Sequence, residues 1–177
     1  MNKLIFALFL MIFATSFGQI RWMTMNEAVA AQKTQPKKIL IDFYADWCSP
    51  CKLMDKNTYA HPVIAEYINN NYYPVKFNIE GNEQVTIYGR NFTNPAYVIG
   101  NKRNAPHQYT QFMNVSAVPS LVFLDESARP ITILNGLLTP QELEPYLTMI
   151  SDNSYLKIKT REEWDNYQSK FRSKIKK

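Results

Sequence analysis

Cysteines stand at positions 48 and 51, and the chain contains no others. They follow an apolar run at residues 39–44 that predicts a buried strand, interrupted only by Asp42. A Cys-x-x-Cys placed directly after a strand and at the start of a helix is typical of a dithiol redox site. The chemistry open to such a pair is exchange between its disulfide and the thiols of another molecule.

The spacing of the pair has a physical reason. With Cys48 at the start of a helix and Cys51 three residues later, both sulfurs lie on one face, within reach of a disulfide. The unpaired N–H groups and the positive end of the helix dipole favour the Cys48 thiolate. Pro50 suits this first turn, because its fixed φ is already helical. We therefore expect Cys48 to be the nucleophile, and Cys51 to be more buried and less reactive.

Other uses of a Cys-x-x-Cys fit this sequence less well. Tetrahedral zinc needs four ligands, and only His61 and His107 remain to complete a set, without paired ligand spacing. A haem-attachment site would have histidine at position 52, where this chain has lysine. A purely structural disulfide that closes so small a loop adds little stability. We expect a redox pair that needs neither a metal nor a cofactor.

Two segments of the chain resemble a known family. Residues 41–52 read Ile-Asp-Phe-Tyr-Ala-Asp-Trp-Cys-Ser-Pro-Cys-Lys, which is similar to the active-site strand and helix of the thioredoxin superfamily, and especially to the periplasmic thioredoxin-like domain of DsbD-type thiol-disulfide interchange proteins. Residues 115–125, Val-Ser-Ala-Val-Pro-Ser-Leu-Val-Phe-Leu-Asp, resemble the cis-proline segment of that family as it leads into a strand. Asn135-Gly136, before the last helix of the fold, is a third point of similarity. The resemblance covers roughly residues 37–150.

The resemblance implies a fold and a proton acceptor. The fold is α/β and thioredoxin-like, with a central mixed sheet and helices on both faces. Asp42 would take the proton of Cys51, which suits an acid whose pKa is raised by burial. The alternative is an acid at a strand end that points to solvent. Lys76 lies in a segment that resembles the one that places a lysine near this acid, and it would tune Asp42.

The residues around the cysteines are expected to form the substrate-binding surface. Trp47, Ser49 and Pro50 adjoin the pair, and Trp47 should line the site unless it packs in the core. Val118, before a cis Pro119, would present backbone groups that pair with an extended substrate.

The first residues have the pattern of a secretory signal peptide. Lys3 supplies a positive start, residues 4–14 are apolar, and Ser-Phe-Gly at 16–18 is a small-x-small cleavage pattern. We expect cleavage near Gly18 and a periplasmic or secreted mature chain, with an uncleaved anchor as the alternative. In an oxidising compartment, a chain without further cysteines reserves its thiols for exchange.

Length and charge give the expected organisation. The 177 residues suggest a signal peptide at 1–18, a thioredoxin-like domain at 19–150 and a C-terminal helical extension at 151–177. The formal net charge of +5, with acids and bases interspersed, does not indicate nucleic-acid binding. We expect a monomer.

Capping patterns predict most of the helices. Thr24, Thr139 and Thr160 each stand three residues before a glutamate and should begin helices at 25–32, 140–150 and 161 onwards. The active-site helix should run over 48–57 with Leu53 and Met54 in the core, and Pro62 should start the next. Strands are predicted at 72–79, 121–124 and 131–134.

Two regions leave alternatives open. Residues 81–114 are longer than in thioredoxins and should contain a helix near 107–113 within a long surface loop, or else a partner-selecting rim beside the active site. The last helix should carry an apolar stripe that packs on its own domain, or docks a partner or an anionic membrane surface. The stripe comprises Trp164, Tyr167, Phe171 and Ile175.

The predicted function is thiol-disulfide exchange. We expect a disulfide reductase that acts on protein or small-molecule disulfides and is recharged by a membrane electron donor. A disulfide isomerase or oxidase is the alternative within this class. A non-enzymatic thioredoxin-like assembly factor is the alternative outside it, and the intact cysteine pair argues against that.

Overall fold

A four-stranded mixed sheet forms the centre of the molecule. The computed structural model describes residues 18–176, so the predicted signal peptide at 1–18 lies outside the described residues except for Gly18. Strand β1 (Lys38–Tyr44) is parallel to β2 (Tyr72–Asn78) and antiparallel to β5 (Ser120–Leu124), and β5 is antiparallel to β6 (Pro130–Asn135). The strand order is therefore β2-β1-β5-β6.

Helices cover both faces of this sheet. The described helical segments are α1 (Met25–Thr34), α2 (Ser49–Met54), a π-helical turn (Asp55–Tyr59), α3 (Pro62–Asn71), α4 (Gln108–Phe112), α5 (Pro140–Ser151), a 3-10 turn (Ser154–Lys157) and α6 (Arg161–Lys170). Within the range 18–176, no helix combines the length and the apolar character needed to cross a membrane.

Successive residues of β1 point into two separate cores, as the pleat of a strand requires. Leu40 packs with α3 and α5 on one face. Ile41 and Phe43 pack with α1 and α4 on the other. Because both faces are covered, nearly the whole of β1 is buried, and the mixed α/β sheet with helices on both faces that the sequence predicted is confirmed.

The predicted helix starts are confirmed. The side chains of Thr24, Thr139 and Thr160 each accept a hydrogen bond from the backbone N–H of the glutamate three residues later. The glutamate side chain in turn accepts one from the backbone N–H of the threonine. The prediction for Leu53 is wrong, since this side chain is 47% exposed, whereas Met54 is fully buried. Met54 lies three residues after Cys51 and shares its inward face, which turns Leu53 outward.

The insertion between β2 and β5 contains a hairpin that the sequence did not indicate. Strands β3 (Val85–Ile87) and β4 (Arg90–Phe92) pair across a two-residue turn. Tyr88 and Gly89 both have positive φ there, as a tight hairpin turn requires. The helix expected near 107–113 is present as α4, with His107 as its N-cap.

The C-terminal residues pack on the domain. The Trp164 ring stacks on Tyr146 of α5 with centroids 4.6 Å apart. The prediction of one helical stripe is wrong at its end, because α6 stops at Lys170 and Phe171 is its extended C-cap. Ile175 lies beyond the helix but is still buried in the core beside α5. In this structure, residues 161–175 therefore pack on their own domain, which is the first of the two alternatives given for the last helix.

Candidate active site

Cys48 and Cys51 form a disulfide where β1 ends and α2 begins. Cys48 is the N-cap of α2, its Cα lies 5.3 Å from that of Cys51, and its Sγ accepts the Cys51 backbone N–H at 3.1 Å. Pro50 stands in the first turn of the helix, as predicted. The arrangement holds both sulfurs on one face at a helix N-terminus, where a thiolate is favoured when the bond is reduced.

The two cysteines do not differ in burial. Cys48 is 2% exposed and Cys51 is 3% exposed, so the expectation that Cys51 is the more buried is wrong for this disulfide form. Both sulfur-bearing residues pack with Ala45, and Val118 lies against the same cluster. The bond to Cys51 and this apolar cover together remove Cys48 from solvent.

Asp42 is buried in the core on the strand that leads to the cysteines. It is 2% exposed, which excludes an acid that points to solvent. Lys76 Nζ lies 3.2 Å from its Oδ2, while its Oδ1 has no hydrogen-bond partner within residues 18–176. Burial raises the pKa of Asp42 to about 6, even though the charge of Lys76 opposes that rise. Its carboxyl group therefore exchanges a proton near neutral pH.

Lys76 is held by more than Asp42. Its ammonium also contacts the carboxylate of Asp55, one helical turn after Cys51. The rings of Trp22, Tyr44 and Tyr59 surround it, with centroids 5.1 to 5.5 Å from Nζ. These cation–π contacts and the second acid fix the lysine beside Asp42.

Trp47 forms part of an exposed rim. It is 38% exposed, which excludes plain core packing, and its Nε1–H donates to Glu80 Oε1 at 2.9 Å. The guanidinium carbon of Arg103 lies 3.9 Å from the centre of the Trp47 ring. Glu80 Oε2 accepts the backbone N–H of Asn104 at 3.0 Å. The insertion thus reaches Trp47, beside the cysteines, which is where the rim alternative placed it, while partner selection by this rim stays a prediction.

Val118 and Pro119, and also Ser49 and Pro50, are the remaining residues predicted to form the substrate-binding surface. The peptide bond between Val118 and Pro119 is cis, and the Pro119 carbonyl accepts the Gly136 N–H at 2.8 Å. Ser49 and Pro50 are exposed beside the cysteines.

An open cleft of about 310 Å³ lies between the strand ends and the insertion. Its lining includes Tyr44, Asp46, Lys76, Glu80 and Asn104. Since Lys76 both lines the cleft and contacts Asp42, the buried acid is one side chain away from the surface.

Comparison with known proteins decides the family. A family model described as a thioredoxin-like domain matches residues 25–150, which is most of the chain. The chain belongs to the thioredoxin-like domain family.

This thioredoxin-like domain has relatives among much longer proteins. The thiol:disulfide interchange protein DsbD of Photorhabdus laumondii is 24% identical over 136 residues, which cover 75% of this chain and 20% of that protein. DsbD 2 of Pseudomonas aeruginosa is 40% identical over 38 residues, which cover 22% of this chain and 6% of that protein. The chain therefore spans a fifth or less of the length of these two relatives.

Solved structures show the same fold. A thioredoxin-fold protein from Helicobacter pylori superposes with a TM-score of 0.55 at 18% identity, covering 86% of this chain and 87% of its own. A putative disulphide-isomerase from Bacteroides thetaiotaomicron gives 0.52 at 21% identity, covering 80% and 98%. The fold and the family model thus agree, and within this fold Cys48 and Cys51 form a disulfide at a helix N-terminus.

Sequence reasoning missed several residues of the thioredoxin-like site. Asp55 had a usable signal, because it stands four residues after Cys51 and shares its helix face. Trp22 and Arg103 had none, since they approach the site from distant parts of the chain. Tyr59 lies in the turn that follows α2, but a tyrosine there does not by itself indicate a contact with a cation.

Proposed function

We propose that this protein is a disulfide reductase that works outside the cytoplasm and receives its electrons from a membrane protein. Its substrates are protein or small-molecule disulfides. The observation that carries the proposal is a Cys48–Cys51 disulfide at a helix N-terminus with Pro50, an uncharged residue without an N–H, between the cysteines.

The reaction begins with the reduced pair. The Cys48 thiolate attacks a substrate disulfide, forms a mixed disulfide and releases one substrate thiolate, which takes a proton from solvent. Cys51 then attacks the Cys48 sulfur and releases the second substrate thiolate. Two electrons pass to the substrate, and the protein is left with the Cys48–Cys51 disulfide.

Asp42 serves the second step in this proposal. Cys51 must lose its proton before it can attack, and a carboxylate with a pKa of about 6 accepts a proton at neutral pH. Lys76 and Asp55 are positioning residues, because their charges bear on the Asp42 carboxyl. Trp47, Ser49, Val118 and Pro119 are proposed to form the surface on which the substrate lies.

Pro50 supports the direction of electron flow. A residue at this position that donates a hydrogen bond or carries positive charge stabilises the Cys48 thiolate and makes the pair oxidising. Pro50 does neither. About 1.4 kcal/mol of lost thiolate stabilisation lowers the reduction potential by about 30 mV, so a few such contacts separate an oxidant from a reductant.

The sequence of the first 18 residues supports a location outside the cytoplasm, because it has the pattern of an export signal. A reductant in such a compartment needs a donor that brings electrons across the membrane. The likeness to DsbD proteins, named thiol:disulfide interchange proteins, is in keeping with such a donor.

The test is the reduction potential of the purified protein in glutathione redox buffers. We expect a value nearer to that of thioredoxin, about −270 mV, than to that of protein disulfide isomerase, about −180 mV. The matched variant Pro50→His should raise the potential. A wild-type potential of about −180 mV or higher rejects the reductase in favour of an isomerase or oxidase.

A further inference from the structure

Residues 94–106 of the insertion form a closed loop beside the active site. Asn94 is buried at the base of the loop, and its side-chain amide donates to the carbonyls of Gly81 at 3.1 Å and Ala105 at 2.8 Å. Inside the loop, Asn104 Oδ1 accepts the Val98 N–H at 2.8 Å. These bonds fix the ends of the loop and tie Asn104, the residue after Arg103, to Val98 across the loop.

The same loop is tied to the active-site tryptophan. The carboxylate of Glu80 uses one oxygen for the Trp47 Nε1–H and the other for the Asn104 N–H, at 2.9 and 3.0 Å. Arg103 then lies over the Trp47 ring at 3.9 Å. An arginine stacked on an aromatic face has a defined plane and loses little further freedom when it binds a ligand.

Arg103 has no ion-pair partner among the residues that the structure describes. No acidic oxygen in the part of the chain that the structure describes lies within 4.0 Å of its guanidinium, and the residue is exposed. Glu80, the acid that touches Trp47, already has a donor on each oxygen. Asp46, the acid that precedes Trp47, accepts from Asn78 at 3.1 Å. The guanidinium N–H groups of Arg103 are thus offered to a ligand that binds at Trp47.

We propose that Arg103 is a specificity-determining residue that selects disulfides with a carboxylate close to the sulfur that Cys48 attacks. This inference rests on the disulfide exchange proposed above. A planar guanidinium binds a carboxylate through two parallel hydrogen bonds, and Arg103 presents that fork on the ring of Trp47, the residue that precedes Cys48 in the chain. Protein substrates with acidic residues next to the disulfide cysteine, and small disulfides that carry carboxylates, both have such a carboxylate.

The experiment measures the rate at which the reduced protein reacts with three small disulfides of similar size. They are dithiodipropionate, which is anionic, bis(2-hydroxyethyl) disulfide, which is neutral, and cystamine, which is cationic. We expect the anionic compound to react faster than the neutral one, and Arg103→Gln to lower that rate ratio by up to about fivefold, the upper end of the range for one exposed ion pair. The ratio should also fall as salt is raised.

Two variants serve as controls. Lys102→Gln removes the same charge from the adjacent residue, which does not stack on Trp47, and should change the ratio less than twofold. Arg90→Gln removes the arginine that lies 5.8 Å over the Phe112 ring in the same insertion, and should leave the ratio unchanged. A Lys102→Gln effect as large as that of Arg103→Gln would mean that the preference comes from the overall positive charge of the loop and not from Arg103, and would overturn the proposal.

The remaining outcomes also decide it. If Arg103→Gln slows all three disulfides equally, Arg103 merely orders Trp47 and selects nothing, and the inference is wrong. If the wild type shows no preference for the anionic disulfide, it is wrong as well. Reaction of the wild type with the neutral disulfide tests the exchange activity by itself. If no disulfide reacts, the proposed function fails and the inference falls with it.

Discussion

Asp42 should make the stability of the oxidised protein depend on pH, and Asp42→Asn measures that dependence. Burial raises the pKa of this carboxyl from 3.8 to about 6. Between these values the folded protein keeps a proton that the unfolded chain releases. The stabilising contribution of protonated Asp42 is therefore complete below pH 3.8 and is lost as the pH rises through about 6.

The size of the effect follows from the shift. About two pKa units at roughly 1.4 kcal/mol each mean that ionising Asp42 in the fold costs about 3 kcal/mol of stability at pH 7.5. Asparagine has nearly the same shape and does not ionise. The stability of Asp42→Asn relative to wild type should thus rise by about 2 to 3 kcal/mol between pH 4 and pH 7.5, or roughly 5–10 °C in Tm.

The assay is denaturant unfolding of both oxidised proteins at pH 4, 6 and 7.5. Asp125→Asn is the matched control, because burial of Asp125 is outweighed by hydrogen bonds from the Arg129 and Ser127 backbone and its pKa is lowered. That variant should be less stable than wild type at both pH 4 and pH 7.5, and by slightly less at pH 4, since most of its pH dependence lies below pH 4. The reasoning about Asp42 is refuted if the advantage of Asp42→Asn is the same at every pH.

Two further predictions concern the cysteines and the C-terminal segment. Cys51→Ser should accumulate a mixed disulfide with a substrate or a small thiol, while Cys48→Ser should not, because Cys48 attacks and Cys51 resolves. Mass spectrometry under non-reducing conditions detects the adduct. Equal yields of adduct in both variants would contradict the assignment of Cys48 as the attacking cysteine. Ile175→Ala should lower the free energy of unfolding by roughly 2 kcal/mol, because Ile175 is buried in the core. Lys176→Ala, on the exposed neighbour, should change it by less than about 0.5 kcal/mol. An Ile175→Ala variant as stable as wild type would contradict the packing described for residues beyond α6.

The parts of the fold that follow from local sequence were predictable. Thr24, Thr139 and Thr160 satisfy helix N–H groups only a few residues away, so the pattern and the bond coincide. The buried strand β1 was predictable because an apolar run interrupted only by Asp42 is what two covered faces require. The β3–β4 hairpin was not, because strands of three residues around Tyr-Gly carry almost no periodic signal.

In the candidate site, too, residues in locally recognisable segments were predictable, and residues brought in by tertiary packing were not. The cysteines could be named from their spacing, and Asp42 and Lys76 because each lies within a recognisable segment. The adjacent strands β1 and β2 then pair Asp42 with Lys76 directly. The aromatic rings of Trp22 and Tyr59 around Lys76 could not, since nothing near them in sequence indicates a cation. Such contacts are set by how helices and loops dock on the sheet, and a single sequence does not display that docking.

The division between scaffold and insertion also suggests where selectivity lies. The reactive cysteines are fixed by β1 and α2, elements that the fold needs for its core and that leave little room for variation. The loop at 94–106 contributes little to either core, yet it is bonded to Glu80 and stacked on Trp47. A surface loop held this firmly at a reactive site is ordered by contacts with the site itself. Substitutions at Arg103 should therefore change which disulfides react without unfolding the domain.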